Sequence, residues 1–290
     1  MKVQLAVVLG CAVLGVFFLI IPRPLRAGPN DSLDLLIRDS RLDDMTIAEG
    51  APGKEILMEM CRVTAEKLGI ATMDTDLHLL IRAAVPRVSN DHLRAWLRES
   101  ISRTFAGNSP SAALALLQNT TVHDVLMREQ LTGVNMPPDA FKRFRANPDN
   151  FKDSNRVSLC RELERKQNTA ASIVHGTALF VRNFLESANG GMPAEFRFSK
   201  KEIDNIVEAY ESSLSNTEAM AGHRKGIVSG LLYSFEHISN HELQGFAAQW
   251  NSDPGRQINK ATTEAYLHIS ERGGKVYGAE VARLLGTMVP

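Results

Sequence analysis

The sequence lacks an excess of charge of either sign and is poor in aromatic residues. Its 290 residues include 33 Lys and Arg against 33 Asp and Glu, so the formal net charge is zero. This balance provides no basic stripe for a nucleic-acid backbone and disfavours partners recognised by charge alone. Aromatic residues make up 6% of the chain, which disfavours base or sugar stacking and an aromatic-rich β-sandwich. We therefore expect any partner to be recognised by shape or apolar contact.

The sequence also lacks the short motifs of common catalytic sites. It contains no Gly-x-Ser-x-Gly nucleophile motif, no phosphate-binding loop and no dinucleotide fingerprint. Gly273-Gly274 precedes Lys275, but the leading Gly and the Ser or Thr of a phosphate-binding loop are missing, so we interpret the pair as a helix break. These absences indicate a protein that is not an enzyme, and no cofactor is predicted.

Histidine and acidic residues do not form a recognisable metal site in the sequence. His237 and His241 have the four-residue spacing with which two imidazoles on one helix can share zinc. Ser239 lies between them and is predicted to start a helix, which places His237 outside that helix. Asp74-x-Asp76 lacks the remaining ligands of a calcium loop, and we interpret it as the acidic first turn of a helix. The sequence therefore predicts no bound metal.

Cysteine is scarce, with three residues in the whole chain. Cys11 lies in an N-terminal apolar run, which leaves Cys61 and Cys160 in the rest of the protein. One disulfide between these two is possible in an oxidising compartment, although sequence alone does not place their Cα atoms within bridging distance. The alternative is two buried thiols on apolar helix faces, where cysteines are usually inert.

The N-terminal run is the most distinctive feature that the sequence does contain. Lys2 precedes 19 uncharged residues from Val3 to Ile21. This length exceeds the apolar core of most cleaved signal peptides and meets the span of a hydrocarbon layer. Residues 1–27 are thus predicted to be a signal peptide cleaved near Ala27 or an anchor in the inner membrane. Either alternative predicts an extracytoplasmic body in the periplasm.

Apolar residues recur at helical spacing through almost the entire body of the chain, without sustained period-two alternation. This pattern predicts an all-α fold, a multi-helix bundle of antiparallel helical hairpins behind the N-terminal apolar helix. A stretch rich in Pro and Asn from Met136 to Asn150 indicates a connector. The predicted order is a linker or short helix over 28–50, an N-terminal helical half over 51–135, a connector over 136–154 and a C-terminal helical half over 155–290.

The C-terminal half is predicted to begin with one long helix, over Asn155–Glu186. The sequence Asn189-Gly190-Gly191 is predicted to end it, because Asn and Gly commonly terminate helices. Ser199, Ser215 and Ser239 each precede a Glu by three residues. This is the capping-box pattern, and it predicts three further helix starts.

The segment that begins at Ser239 has the most specific pattern in the chain. Leu243, Phe246 and Trp250 lie at positions i, i+3 and i+7. They are predicted to form one buried stripe on a helix that Ser239 caps.

A tight corner is predicted to follow this helix. Either Ser252 or Asp253 is expected to cap the next helix. Gly255 is expected to allow close approach of the Trp250 ring at the same end of the corner. The segment 239–271 is therefore predicted to be an antiparallel helical hairpin.

This segment resembles the bacterial domain of unknown function 2059 family. The hallmark of that family is a polar cap, Glu-Leu, an apolar helix, and an aromatic residue followed by x-Ser/Thr-x-x-Gly and a basic residue. The resemblance implies an exported or anchored all-helical protein of Gram-negative bacteria and supplies no catalytic residues. The residues that carry it are Ser239, Glu242, Leu243, Phe246, Trp250, Ser252, Gly255 and Arg256.

Three classes of function follow from these observations. The favoured class is a non-catalytic interaction or structural module of the bacterial envelope, held at the membrane by its N-terminal segment. Its expected partner is an envelope protein, and no nucleic acid is expected. A carrier of an apolar ligand between helices is the first alternative, because the ten Met residues could line an adaptable groove. An enzyme of unrecognised type is the second.

Overall fold

The computed structural model describes residues 32–39, 54–84, 88–106, 109–134 and 151–287. Within these ranges the fold is all-α and contains no strand, which confirms the predicted fold class and the helical bundle. A short 3₁₀ turn over Ala194–Phe196 is the remaining regular element of these ranges. The twelve α-helices are α1 Ser32–Asp39, α2 Lys54–Lys67, α3 Asp74–Ala84, α4 Asn90–Thr104, α5 Ser111–Leu117, α6 Thr120–Val134, α7 Ser154–Gln167, α8 Thr169–Gly191, α9 Lys200–Ser215, α10 Thr217–Ser234, α11 Asn240–Trp250 and α12 Asp253–Gly286.

Two predicted segments lie outside the described residues. They are the signal peptide or anchor over 1–27 and the stretch 136–150 of the connector. Helix α1 falls within the segment predicted to be a linker or short helix. Among the helices that are described, none combines the length and the apolar character needed to cross a membrane. The export or anchoring of the chain therefore stays a prediction.

The centre of the bundle is a parallel pair formed by α8 and α12. A Cβ atom built on Gly274 would lie 2.6 Å from the carbonyl oxygen of Phe180, and one built on Gly278 would lie 2.8 Å from the carbonyl carbon of Phe184. Both contacts advance by four residues in the same direction, so the two helices run parallel. A side chain at either glycine would meet backbone atoms, which cannot rotate away as a side chain can.

Helix α9 packs against α8 in the opposite direction. Arg182 on α8 donates to Asp204 at 2.7 Å, and Asn189 near the end of α8 exchanges two 2.8 Å hydrogen bonds with the backbone of Phe198. The predicted antiparallel hairpin arrangement thus holds for α8 and α9. It does not hold for α8 and α12. The three helices between them, α9, α10 and α11, return the chain to the end of the bundle at which α8 begins, so α12 runs in the same direction as α8.

Helix α4 packs against the other side of α12 and runs antiparallel to it. Glu99 on α4 contacts His268 at 3.2 Å and Arg272 at 3.3 Å, and Thr104 donates to Glu264 one turn earlier on α12. Apolar residues of both predicted halves also belong to one buried cluster. The described parts of the two halves therefore share a core, while their boundary at the connector stays a prediction.

The long helix predicted over Asn155–Glu186 is instead two helices. The chain turns at Asn168, the one non-glycine residue of the described ranges with positive φ, at 53°. Its N–H donates to the carbonyl of Glu164 at 2.8 Å and so closes the end of α7. Asn tolerates the left-handed region better than most residues, so one residue suffices to break the helix. The apolar periodicity continues on both sides, which concealed the break.

The helix break predicted at Gly273-Gly274 is wrong. Helix α12 continues through both residues without interruption and ends at Gly286. Both glycines are buried, and Gly274 faces the backbone of α8. At Gly274 the absence of a side chain allows α8 and α12 to touch, and the packing between the two helices compensates for the low helix propensity of Gly.

Most predicted helix starts are confirmed by side-chain caps. Ser199 and Ser239 form complete capping boxes with the Glu three residues later. The start predicted at Ser215 is wrong by one residue, because Asn216 is the cap and its Oδ1 accepts the N–H of Ala219 at 2.8 Å. Asn and Ser are almost equally good N-caps, so the sequence did not distinguish two adjacent candidates.

Helix α10 has two different halves. Its first two turns carry exposed polar residues, whereas the residues from Gly226 to Phe235 are buried on every side. Helices α6, α7, α8 and α9 pack around it. The second half of α10 thus forms part of the interior and supports the start of α11, where the candidate segment begins.

Candidate functional site

The candidate site begins at the N-terminus of α11, where Ser239 and Glu242 form a capping box. The N–H of Glu242 donates to the Ser239 hydroxyl at 3.2 Å, and the Glu242 carboxylate accepts the Ser239 N–H at 2.9 Å and its hydroxyl at 2.7 Å. Arg128 on α6 donates to the other carboxylate oxygen at 3.0 Å. The hydrogen bonds from Ser239 lower the pKa of Glu242 to about 2. Glu242 is therefore an anion near pH 7, poorly suited to act as a general acid or base.

One face of α11 is buried, as the sequence predicts. Leu243, Phe246 and Trp250 are all buried, and the rings of Phe246 and Trp250 stack with their centroids 5.2 Å apart. The indole N–H of Trp250 donates to Oδ1 of Asn259 on α12 at 2.8 Å. A buried indole with a satisfied donor is a structural anchor. Asn259 could not be found from the sequence, because no local pattern links an indole to an amide nine residues later on another helix.

The corner between α11 and α12 uses Ser252 as its cap. The Ser252 hydroxyl accepts the N–H of Gly255 and donates to the carbonyl of Gln249 at 2.6 Å. Asp253, the alternative cap, pairs with Arg256 instead. The structure thus decides between the two caps that the sequence allowed.

Gly255 is required at this corner, but for a different reason from the predicted one. A Cβ atom built on it would overlap the carbonyl oxygen of Trp250 and would lie 2.8 Å from the Cα atom of Trp250. The close approach therefore involves the backbone of α11 and not the indole ring. Beyond the corner, α12 makes its most extensive contacts with α8, so the predicted hairpin over 239–271 is confined to the region around the corner.

A polar cluster that the sequence did not reveal holds the N-terminal end of α11. The Arg156 guanidinium on α7 donates to Asn240 Oδ1 at 3.0 Å and to the carbonyls of Phe235 and Glu236 at 2.9 and 3.0 Å. Asn240 in turn donates to Asp153 at 2.7 Å, which lowers the pKa of Asp153. Arg156 thereby adds charged donors to the carbonyls of the turn between α10 and α11, where the Phe235 carbonyl also accepts the N–H of Ile238. About 80 residues separate the partners, so no local pattern could indicate this cluster.

The two histidines considered as zinc ligands lie on either side of Ser239. His237 is exposed in the turn before α11, and His241 is exposed on its first turn. The described residues contain no group of three His, Cys, Asp or Glu side chains that could hold a metal ion. Asp74 pairs with Arg62 at the start of α3.

The two cysteines of the described residues are free and buried. Burial raises the pKa of both the Cys61 thiol and the Cys160 thiol to about 12. A thiol with such a pKa is almost entirely protonated near pH 7, and the thiolate is the reactive form. Of the two alternatives that the sequence left open, the structure shows buried thiols on helices α2 and α7.

Comparisons with protein-family models, curated proteins and solved structures find no match to this chain. The resemblance to the domain of unknown function 2059 family therefore stays a proposal. Its residues come together in the structure as one helix, α11, and the corner after it. The polar side chains of this segment bind within the chain, so the arrangement can fix the direction of two helices and can present the outer face of α11.

Proposed function

We propose that the protein is exported or anchored in the inner membrane by residues 1–27, with its helical body in the periplasm. The uncharged run from Val3 to Ile21 supports this location, because these 19 residues are apolar apart from Gln4 and meet the span of a hydrocarbon layer. We further propose kinship with the domain of unknown function 2059 family, based on the residues of α11 and its corner.

Within this location, we propose a non-catalytic interaction or structural module. The observation that carries this proposal is that the polar groups of the candidate segment bind other parts of the same chain. Ser239 and Glu242 cap α11, and Ser252 caps α12. A catalytic site needs polar groups that converge on a substrate, whereas these groups satisfy backbone atoms and Arg128. A helix held rigidly in this way can present a constant outer face to a partner protein.

The location is tested by fusing reporters after Pro290 of the full chain. Alkaline phosphatase is expected to be active, and green fluorescent protein is expected to be dark. A matched variant with Leu14→Arg and Leu19→Arg interrupts the apolar run and should reverse both results. Carbonate extraction then separates anchoring from cleavage. Fluorescent fusion protein in the soluble fraction of the unaltered chain would contradict the proposal.

The interaction is tested on the exposed face of α11, which carries His241, Gln244 and Ala248. The full chain with its N-terminus intact is cross-linked in cells and purified from detergent-solubilised envelopes. A specific envelope protein is expected to be captured by the unaltered chain. A variant with His241→Ala, Gln244→Ala and Ala248→Lys changes the whole face with residues that favour helix, so it should lose the partner while its melting temperature stays the same. Equal capture by both chains would exclude this face as the interaction surface.

A further inference from the structure

A buried carboxylate at the junction of α7, α8 and α10 has no role in the function proposed above. Glu164 lies in the last turn of α7 and is 3% exposed. Its Oε1 atom has no hydrogen-bond partner within the described part of the chain. The guanidinium of Arg224 on α10 approaches Oε1 with its Nε atom at 3.9 Å, which is too long for a hydrogen bond. Glu164 is therefore a buried acid whose charge is only partly compensated.

The break between α7 and α8 explains why a carboxylate lies here. Asn168 joins the two helices, and its side chain makes no capping hydrogen bond to α8. The backbone N–H of Ala170, in the first turn of α8, donates to the Glu164 carboxylate instead. A carboxylate near a helix N-terminus is favourable, but one donor satisfies little of a group with about four acceptor sites.

The charged groups around Glu164 can be named for each helix that packs on α7. Helix α8 supplies the Ala170 N–H, and its own nearest ionisable residue, His175, is exposed two turns along α8. Helix α10 supplies Arg224, whose side chain is more than half exposed. Helix α11 contacts the opposite end of α7 through Asn240. The remaining ionisable residues nearby in sequence are Cys160, Arg161, Glu162, Arg165 and Lys166 on α7, of which Cys160 alone is buried, and His223 and Lys225 on α10. Burial raises the pKa of the Cys160 thiol to about 12, so it carries no charge over the pH range of interest.

We propose that Glu164 binds a proton as the pH falls, and that this protonation strengthens the junction of α7, α8 and α10. A neutral carboxyl group loses its attraction to Arg224, but that attraction is weak because water surrounds the guanidinium. It avoids the larger cost of keeping an incompletely hydrogen-bonded negative charge away from water. Burial is also the main influence on the pKa of Glu164, which it raises above the ordinary value of 4.5, against the smaller opposing effects of Arg224 and Ala170.

The sign of the effect follows from proton linkage. A raised pKa means that the folded chain takes up this proton at a higher pH than the unfolded chain does. As the pH falls through the folded-state pKa of Glu164 towards 4.5, protonation therefore favours the folded state. Carboxylates with lowered pKa have the opposite effect, because their contribution to stability is lost on acidification. Glu162, two residues away and bonded to Lys166, is such a residue.

The experiment compares urea unfolding of the detergent-solubilised full chain with that of its Glu164→Gln variant, between about pH 7.5 and about pH 4.5. The measured quantity is the folding equilibrium constant of the variant divided by that of the unaltered chain. This ratio is expected to decrease as the pH falls, because only the unaltered chain gains stability from protonation. A cost of the amide itself would be the same at every pH and would not change the trend.

Two further variants separate this proposal from general acid effects. Glu162→Gln is the matched control on the same helix. Because the pKa of Glu162 is lowered from 4.5, its ratio is expected to stay nearly constant down to about pH 4.5 and to increase only at lower pH. His223→Gln removes a buried imidazole whose pKa burial lowers, so its ratio should also increase with acidification. A Glu164→Gln ratio that stayed constant or increased towards low pH would overturn the proposal.

A second route retains the carboxylate, in case the amide variant does not fold. Arg224→Gln removes the cation that favours the ionised form of Glu164. This variant is expected to be less stable than the unaltered chain near neutral pH and to approach it as Glu164 becomes neutral. A constant difference over the whole range would also overturn the proposal. Neither result depends on where the protein is located or on what it binds.

Discussion

The two ends of helix α12 are held by different kinds of contact, close in sequence at one end and distant in sequence at the other. At its start, the corner after Trp250 is built from groups within a few residues of one another, such as Ser252 and Gly255. Towards its other end, α12 touches α8 at Gly274 and Gly278, whose contacts on α8 are 94 residues earlier in the chain. Both regions depend on glycine. The sequence pattern explained the first region and misled the prediction for the second.

This comparison shows that a glycine in a helical pattern has two opposite meanings. A Gly next to a capping residue and an aromatic helix end is a local signal, because the groups that require it are close in sequence. A Gly pair inside an amphipathic pattern can equally end a helix or allow a second helix to approach. Only the position of that second helix distinguishes the two. The following experiments test whether the local corner or the distant contact contributes more to stability.

The largest effect is expected at the corner, from Trp250→Ala. Trp250 is buried, stacks on Phe246 and bonds to Asn259. Loss of this side chain should reduce the free energy of unfolding by about 3–5 kcal/mol. Urea unfolding followed by circular dichroism measures the change.

A Trp250→Phe variant divides this effect between packing and hydrogen bonding. It keeps most of the apolar area and leaves Asn259 without the indole donor, so a loss of about 1–3 kcal/mol is expected. A Trp250→Ala variant with an unchanged unfolding midpoint but no partner binding would instead make the ring a recognition anchor.

The distant contact is tested by Gly278→Ala. A methyl group at this position would overlap backbone atoms of Phe184, so α8 and α12 must separate or bend. Overpacking of this kind should cost about 1–3 kcal/mol or more. The matched control is Gly190→Ala on α8, where a Cβ atom meets nothing within 4 Å. That control should gain up to about 1 kcal/mol, because Ala is the better helix former.

A smaller loss is expected from removing the cap of α12. Ser252→Ala should cost about 1 kcal/mol, because the first turn loses its side-chain acceptor. Asp253→Ala removes an exposed ion pair with Arg256 and should change stability by less than about 0.5 kcal/mol. Melting temperatures of the two variants measured side by side would test the assignment. A larger loss in the Asp253 variant would contradict it.

The smallest effect is expected from Glu242→Gln, and it depends on pH. The pKa of Glu242 is about 2 in the folded chain against an ordinary value of 4.5, so its contribution is present above pH 4.5. That contribution is lost as the pH falls from 4.5 towards 2. The melting temperature of the variant should therefore be lower than normal near pH 7, and the difference should vanish near pH 2. In a Ser239→Ala background the pH dependence should be smaller.

The part of the fold that the sequence predicts is the part determined over short distances. Helix type, the caps at Ser199 and Ser239, and the buried stripe of α11 depend on residues three or four positions apart. The break at Asn168 escaped prediction because one residue in the left-handed region leaves the apolar period almost unchanged. Arg156 escaped because its partners lie in the turn before α11 and at the start of α11, about 80 residues away in sequence. The corner itself could be predicted from the sequence. The contacts that hold it from other helices, such as those of Arg156, could not.

The parallel contact between α8 and α12 has a consequence for when the chain can fold. The face of α8 around Phe184 packs against Gly278 of α12. This face therefore stays uncovered until α9, α10, α11 and most of α12 have been synthesised. Contacts between such distant residues form late in folding. A chain that stops before Gly274 is thus expected to leave an apolar helix uncovered and to aggregate or bind chaperones.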